Sequence, residues 1–195
     1  MLRRRIATAT AGAATTAAHA LQQSLQCLLE QQEELLHHIT PEQYMAPCPK
    51  AKSSVGGHLR HSLDHISPPL EAALNSNYEP LHYDRRSRNT AIEHDVHKAL
   101  DEITNIHQSL VVRLHRVKEA KLEQAIKVHF MLTAEGKETE FQSTLGRELA
   151  FAIHHCIHHH AMIRLIVQEN YATIRLSPTF GMAPSTSNFL HLNRN

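Results

Sequence analysis

The sequence predicts an all-α protein, a four-helix bundle with a short β-hairpin inserted before the last helix. Three observations carry this. Apolar residues recur every three or four positions over four long stretches, which is the helical period. One short stretch alternates apolar and polar residues instead, the period of a strand. Proline and small polar residues gather between these stretches, where turns belong.

The first helix covers roughly 18–39, with Leu21, Leu25, Leu28, Leu35 and Ile39 on one face. Thr40-Pro41 stops it, because a residue before proline is pushed out of the α region. Pro41, Pro47 and Pro49 make the following stretch a loop. A second helix starts near Ser53-Ser54, either of which can cap it. Its stripe is Val55, Leu59, Leu63, Ile66, Leu70 and Leu74, and Pro68-Pro69 inside it predicts a kink or a split. The polar run 75–89 reads as a loop. The third helix spans about 90–117 on Ile92, Val96, Ala99, Ile103, Ile106, Leu110, Leu114 and Val117. Ile126, Val128, Phe130 and Leu132 then alternate as a strand, 134–137 turns, and 138–142 returns. The fourth helix runs from Ser143 or Thr144 to about Tyr171. It is apolar nearly all round, which places it centrally.

The 195 residues divide into an N-terminal segment 1–17, a bundle domain 18–171 and an irregular tail 172–195. Residues 1–17 hold Arg3, Arg4 and Arg5 and no acidic residue. They read either as a flexible extension or as an organellar transit peptide. The location expected is cytoplasmic, or mitochondrial if that segment is a transit peptide. Twenty Lys and Arg against nineteen Asp and Glu give a net charge of +1, so nothing favours nucleic acid as a partner. No apolar run is long enough for a membrane span. Six glycines and no tryptophan argue against a glycine-rich phosphate cradle. Three cysteines without a CxxC pair point away from a disulfide framework and towards a reducing compartment.

Histidine is the outlier, with 18 residues. Two helical segments concentrate it. HLRHSLDH carries His58, His61, Asp64 and His65; HHCIHHH carries His154, His155, His158, His159 and His160. Residues four apart lie about 40° apart on one helical face, so two imidazoles there can share a metal at roughly 2.1 Å. In the second segment the pairs are His154/His158 and His155/His159. The latter lies at the edge of the stripe Leu145, Leu149, Cys156, Ile163 and Val167, where a bundle's inward-facing ligands belong. In the first segment His58, His61 and His65 share a face, and period alone does not choose among them. Asp64 can accept the second N–H of His61, and Glu148, two turns before His155, can orient a water or serve as a base. Solvated histidine faces are the competing reading.

These stretches resemble the DinB family of four-helix-bundle proteins. The likeness rests on SVGGHLRHSLDH at 54–65, YDRRSR at 83–88 and STLGRELAFAIHHCIHHHAMI at 143–163, in that order. It covers the chain from about residue 18 onward. The resemblance implies a divalent metal held by three histidines: His61, followed by Asp64, and the HxxxH pair His155 and His159. It implies Zn, Ni, Fe or Mn as cofactor without choosing among them. Many relatives carry Gly-Gln after the last ligand, where this chain has Ala161-Met162, so no role passes to that position. Relatives include thiol-dependent S-transferases and isomerases, and members often pair as homodimers.

Three imidazoles leave a coordination position open, as in catalytic sites. The function that the resemblance implies is a divalent-metal-binding protein, a metal-dependent transferase using a low-molecular-weight thiol or a related hydrolase or isomerase. The partner expected is a small molecule or thiol. The alternative is a non-catalytic metal- or ligand-binding protein linked to stress. Arg85, Arg86 and Arg88 can clamp a carboxylate or phosphate, or simply pair with Asp84, Glu93 and Asp95. Cys156 falls on the core stripe and reads as a small buried apolar residue.

Overall fold

Each of the four longest helices begins where a side-chain oxygen can take an orphan N–H of the first turn. The computed structural model describes residues 16–76, 79–85 and 89–193. Thr16 caps α1 (Ala17–Leu36) through His19 N. Residues 1–15, most of the expected N-terminal segment, lie outside the described residues. α1 ends at Leu36, short of the expected stop at Thr40-Pro41, and Thr40-Pro41 instead opens a short α2 (Pro41–Met45), where a loop was expected. Thr40 and Gln43 form a capping box there, and proline suits the first helical position.

Ser54 caps α3 (Val55–Leu74) by accepting from Gly57 N at 3.0 Å. Of the expected kink or split at Pro68 and Pro69, the split does not occur: both lie inside one continuous helix. Each proline costs a backbone hydrogen bond. Burial of Pro69 itself and of Leu70, Ala72 and Ala73 after it favours the helical course.

The expected loop 75–89 holds a two-residue strand, β1 (Leu81–His82). The expected third helix is three pieces: α4 (Ala91–His94), α5 (Val96–Ser109) and a 3-10 helix (Val111–Arg116). The break falls at Asp95, which is extended and whose carboxylate accepts from His97 N and Lys98 N. A carboxylate that can cap competes with the helix interior, and here the cap wins. The apolar stripe still runs through the breaks, with Val96, Ala99, Ile103, Ile106, Val111 and Leu114 all buried.

After α6 (Glu119–Leu122), the hairpin forms as β2 (Ala125–Met131) and β3 (Glu138–Thr144). β1 pairs parallel to β2, giving a three-stranded sheet in the order β1-β2-β3. Thr144 then caps α7 (Leu145–Asn170). α7 packs most extensively on α3, and also on α1; α5 in turn touches α1 and α3. The four longest helices thus close a ring of contacts around one core.

The C-terminal stretch, expected to be irregular, carries α8 (Pro184–Leu192). Phe180, before it, is buried and stacks on His160 of α7, ring centroids 4.5 Å apart. The next residue, Gly181, has φ +67°, and a Cβ there would lie 2.5 Å from Ala161 N. Both facts demand glycine. Gly181→Ala should therefore lower unfolding stability by at least about 1 kcal/mol. Denaturant melts read this directly, and an unchanged midpoint would mean the tail is not docked on α7.

Candidate metal centre

Burial decides which histidine faces matter. On α7, His154 and His158 are exposed, His155 is partly exposed, and His159 and His160 are buried. On α3, His58 and His65 are buried and His61 partly exposed. The face of α3 opposite its apolar stripe is thus covered, and the cover is α7.

His61, His155 and His159 meet in that interface. Their nearest ring nitrogens all lie within 4.8 Å of one another. His155 Nε2 stands 3.2 Å from His61 Nε2 and 3.1 Å from His159 Nε2. A ring nitrogen carries one in-plane lone pair or one N–H. His155 Nε2 can therefore make one of these contacts well, but not both. A cation in the middle would satisfy all three nitrogens. Tetrahedral ligands at ~2.1 Å stand about 3.4 Å apart, close to the spacing observed. Neutral rings are what a metal requires, and His159 is held neutral. Burial first, then the neighbouring His155, His58, His158 and His65, push its pKa down to about 2.

The surroundings fix the three rings. His159 Nδ1 lies 3.0 Å from His58 Nδ1, a contact that can set the His159 tautomer. Burial, and then His158, lower the His58 pKa as well. His65 sits between the cluster and an aromatic wall. Its ring centroid is 3.8 Å from that of His155, and it stacks on Tyr83 at 4.9 Å with a 12° tilt. Tyr83 stacks on Phe130 of β2, and Phe151 of α7 presents its edge to both. The HxxHxxxH spacing in α3 put His58, His61 and His65 on one face; only the packing gave each a separate task.

Glu148 lies two turns away, as the spacing implied, but it is fully buried and fully engaged. It accepts from Tyr83 Oη at 2.8 Å, Ser143 Oγ at 2.5 Å and Arg147 at 2.7 Å. Its carboxylate anchors the aromatic wall. Tyr83 is pushed far up in pKa by burial and by Glu148, so its hydroxyl stays protonated as the donor. Asp64 pairs with Arg60 one turn back, and Arg60 also meets Glu93 at 2.8 Å. Arg85 pairs with Glu138 at 2.7 Å. Arg86 and Arg88 lie outside the described residues. Cys156 is buried, with burial pushing its thiol up to about 12.

Three imidazoles thus converge between two helices of a largely helical fold, a group that could hold a metal ion. The chain belongs to the DinB superfamily, whose sequence profile matches residues 6–163 and so takes in all three histidines. It is also 32% identical over 107 residues to FK506-binding protein 5 of Rhizopus delemar, a match covering 54% of this chain and 26% of that protein. The chain thus spans about a quarter of that relative's length. No solved structure matches.

Behind the cluster, His160 is completely buried, with Gln32 Nε2 at 3.0 Å and Cys156 Sγ at 3.5 Å. Burial holds its pKa at about 3, against 6.5 for an open chain. Between those values the unfolded chain binds a proton that the native chain does not, so stability drains as pH falls. The contribution is whole above about pH 6.5 and is lost progressively towards pH 3. His160→Gln should flatten the decline of the denaturant midpoint with acidification, while costing about 1–3 kcal/mol at neutral pH. An unchanged slope would mean His160 does not set the acid sensitivity.

Proposed function

We propose that His61, His155 and His159 hold a divalent metal between α3 and α7, in a four-helix bundle of the DinB type, and that the protein is a metal-dependent enzyme. The observation that carries this is the convergence of three ring nitrogens, of which His155 Nε2 faces two others at 3.1–3.2 Å. The chemistry a metal supplies there is Lewis acidity, which lowers the pKa of a bound water or thiol and polarises a carbonyl. Three imidazoles do not choose among Zn, Ni and Fe, and Mn remains within the set.

The chain's own residues do the rest. With Nε2 given to the metal, His159 would carry its proton on Nδ1, which lies 3.0 Å from His58 Nδ1. His65, braced on Tyr83, holds the His155 ring in place. Glu148 fixes Tyr83 and through it this bracing. Buried His58 and His65 keep water from the inner side, while the partly exposed His61 and His155 leave the outer side open to a small molecule. An open side suits a transferase reaction with a low-molecular-weight thiol, the activity the family resemblance suggests. Pairing as a homodimer fits the same family reading.

One observation favours a second reading. His65 lies within 3.8–4.6 Å of His155 and His61, centroid to centroid. A fourth imidazole so close suits a filled site in a non-catalytic metal-binding protein.

Elemental mass spectrometry of untagged protein tests the metal. Near-stoichiometric metal at this site should be present in the wild type and absent from His155→Ala/His159→Ala. Equal metal in both would remove the site. With metal established, a screen of thiols against electrophiles separates the two readings, since only the first predicts turnover.

A further inference from the structure

The outer face of the small sheet carries a second group of metal-ligating side chains. The register places His82 of β1 beside His129 of β2, and His129 opposite Glu140 of β3. Glu138, two residues from Glu140, shares their face. The other face, with Leu81, Ile126 and Val128, is buried in a satellite core. One ligand atom each from His82, His129 and Glu138 falls within 4.8 Å of the others.

We propose that His82, His129 and Glu138 form a second divalent-cation site, separate from the three-histidine cluster and sharing no residue with it. A geometric and an energetic observation support it independently. The imidazoles of His82 and His129 stack at 4.3 Å with a 13° tilt, and His82 Nδ1 already contacts Glu138 Oε2 at 2.8 Å. The Glu138 side chain is only 6% exposed, and its other oxygen, Oε1, is buried with no hydrogen-bond partner among the described residues. A buried carboxylate oxygen left unpaired is costly, and a cation is what relieves it. Stacked rings do not converge on one point, so one of them must turn about χ2 to chelate. That torsion is broad in histidine and the turn is cheap.

Among the described residues, Glu140, Arg85 and Lys127 carry charge in the ion pairs around His129 and Glu138. Glu140 reaches His129 Nε2 at 3.6 Å and Lys127 Nζ at 3.0 Å. Arg85 Nε holds Glu138 Oε2 at 2.7 Å, from a side chain 67% exposed. Arg85 is therefore a weakly held occupant of the carboxylate, and an arriving cation competes with it. Two imidazoles and one carboxylate with an open position suit Zn, Co or Ni rather than Mg or Ca.

The test uses full-length, untagged protein carrying His155→Ala/His159→Ala, so that the outcome does not depend on the first cluster. Zn²⁺ titration followed by calorimetry should give one equivalent per chain. Adding Glu138→Gln or His129→Asn should weaken uptake by more than the roughly 10–100-fold that loss of an outer partner costs. Adding Arg85→Ala should tighten it about two- to fivefold, the worth of an exposed ion pair. A misfolded variant cannot produce that gain, which keeps the test decisive if the sheet tolerates the other changes poorly. No stoichiometric uptake, uptake indifferent to Glu138→Gln and His129→Asn, or weaker binding in Arg85→Ala would each overturn the site, indifference marking an adventitious ion only.

Discussion

Imidazoles buried between facing helices keep polar nitrogens that solvent no longer serves, and each one left without a partner costs free energy. That constraint governs the contact between α3 and α7. Their opposed faces carry His58, His61 and His65 on one side and His155 and His159 on the other. Burial lowers the pKa of His58 and His159, and a neutral ring presents a lone pair. The helix contact and the candidate metal centre are therefore one feature. Packing supplies the desolvation that suits the nitrogens to a metal, and a shared cation would satisfy them together.

The rest of the molecule supports that contact from three sides. From the sheet comes the aromatic wall of Tyr83 and Phe130, tied to α7 by the Glu148 carboxylate and leaning on His65. From α1 comes Gln32, which donates to Ser62 of α3 and meets His160 of α7, joining three helices at one buried polar point. From the C-terminal stretch comes Phe180, lying flat on the His160 ring. Each support uses a polar atom beside an aromatic face. This sets the azimuth of α7 more narrowly than apolar packing alone, because hydrogen bonds fail within a few tenths of an ångström.

Much of the architecture was legible in the sequence. The three- and four-residue period marked α1, α3, α5 and α7, and the switch to period two marked β2. The pair His155/His159 followed from its place at the edge of the α7 stripe. The misses have physical causes. β1 is two residues long and has no period to read. Asp95 carries a capping signal stronger than the helical pattern around it. Pro68-Pro69 reads as a break unless the burial of the turn beyond is known. α8 follows a proline in a stretch too short and mixed to show a face.

The sequence by itself determined the helices, the hairpin and the candidate ligands, because period and spacing are local properties of the chain. Even the choice of His61 in the first segment came only from its likeness to a family motif. The tertiary structure decided which imidazoles converge, that Glu148 serves Tyr83 rather than a water, and that His82, His129 and Glu138 come together at all. Those three residues are far apart in the chain and meet only through strand register. Register is fixed by which face of each strand is buried, and so depends on long-range packing that no local pattern encodes.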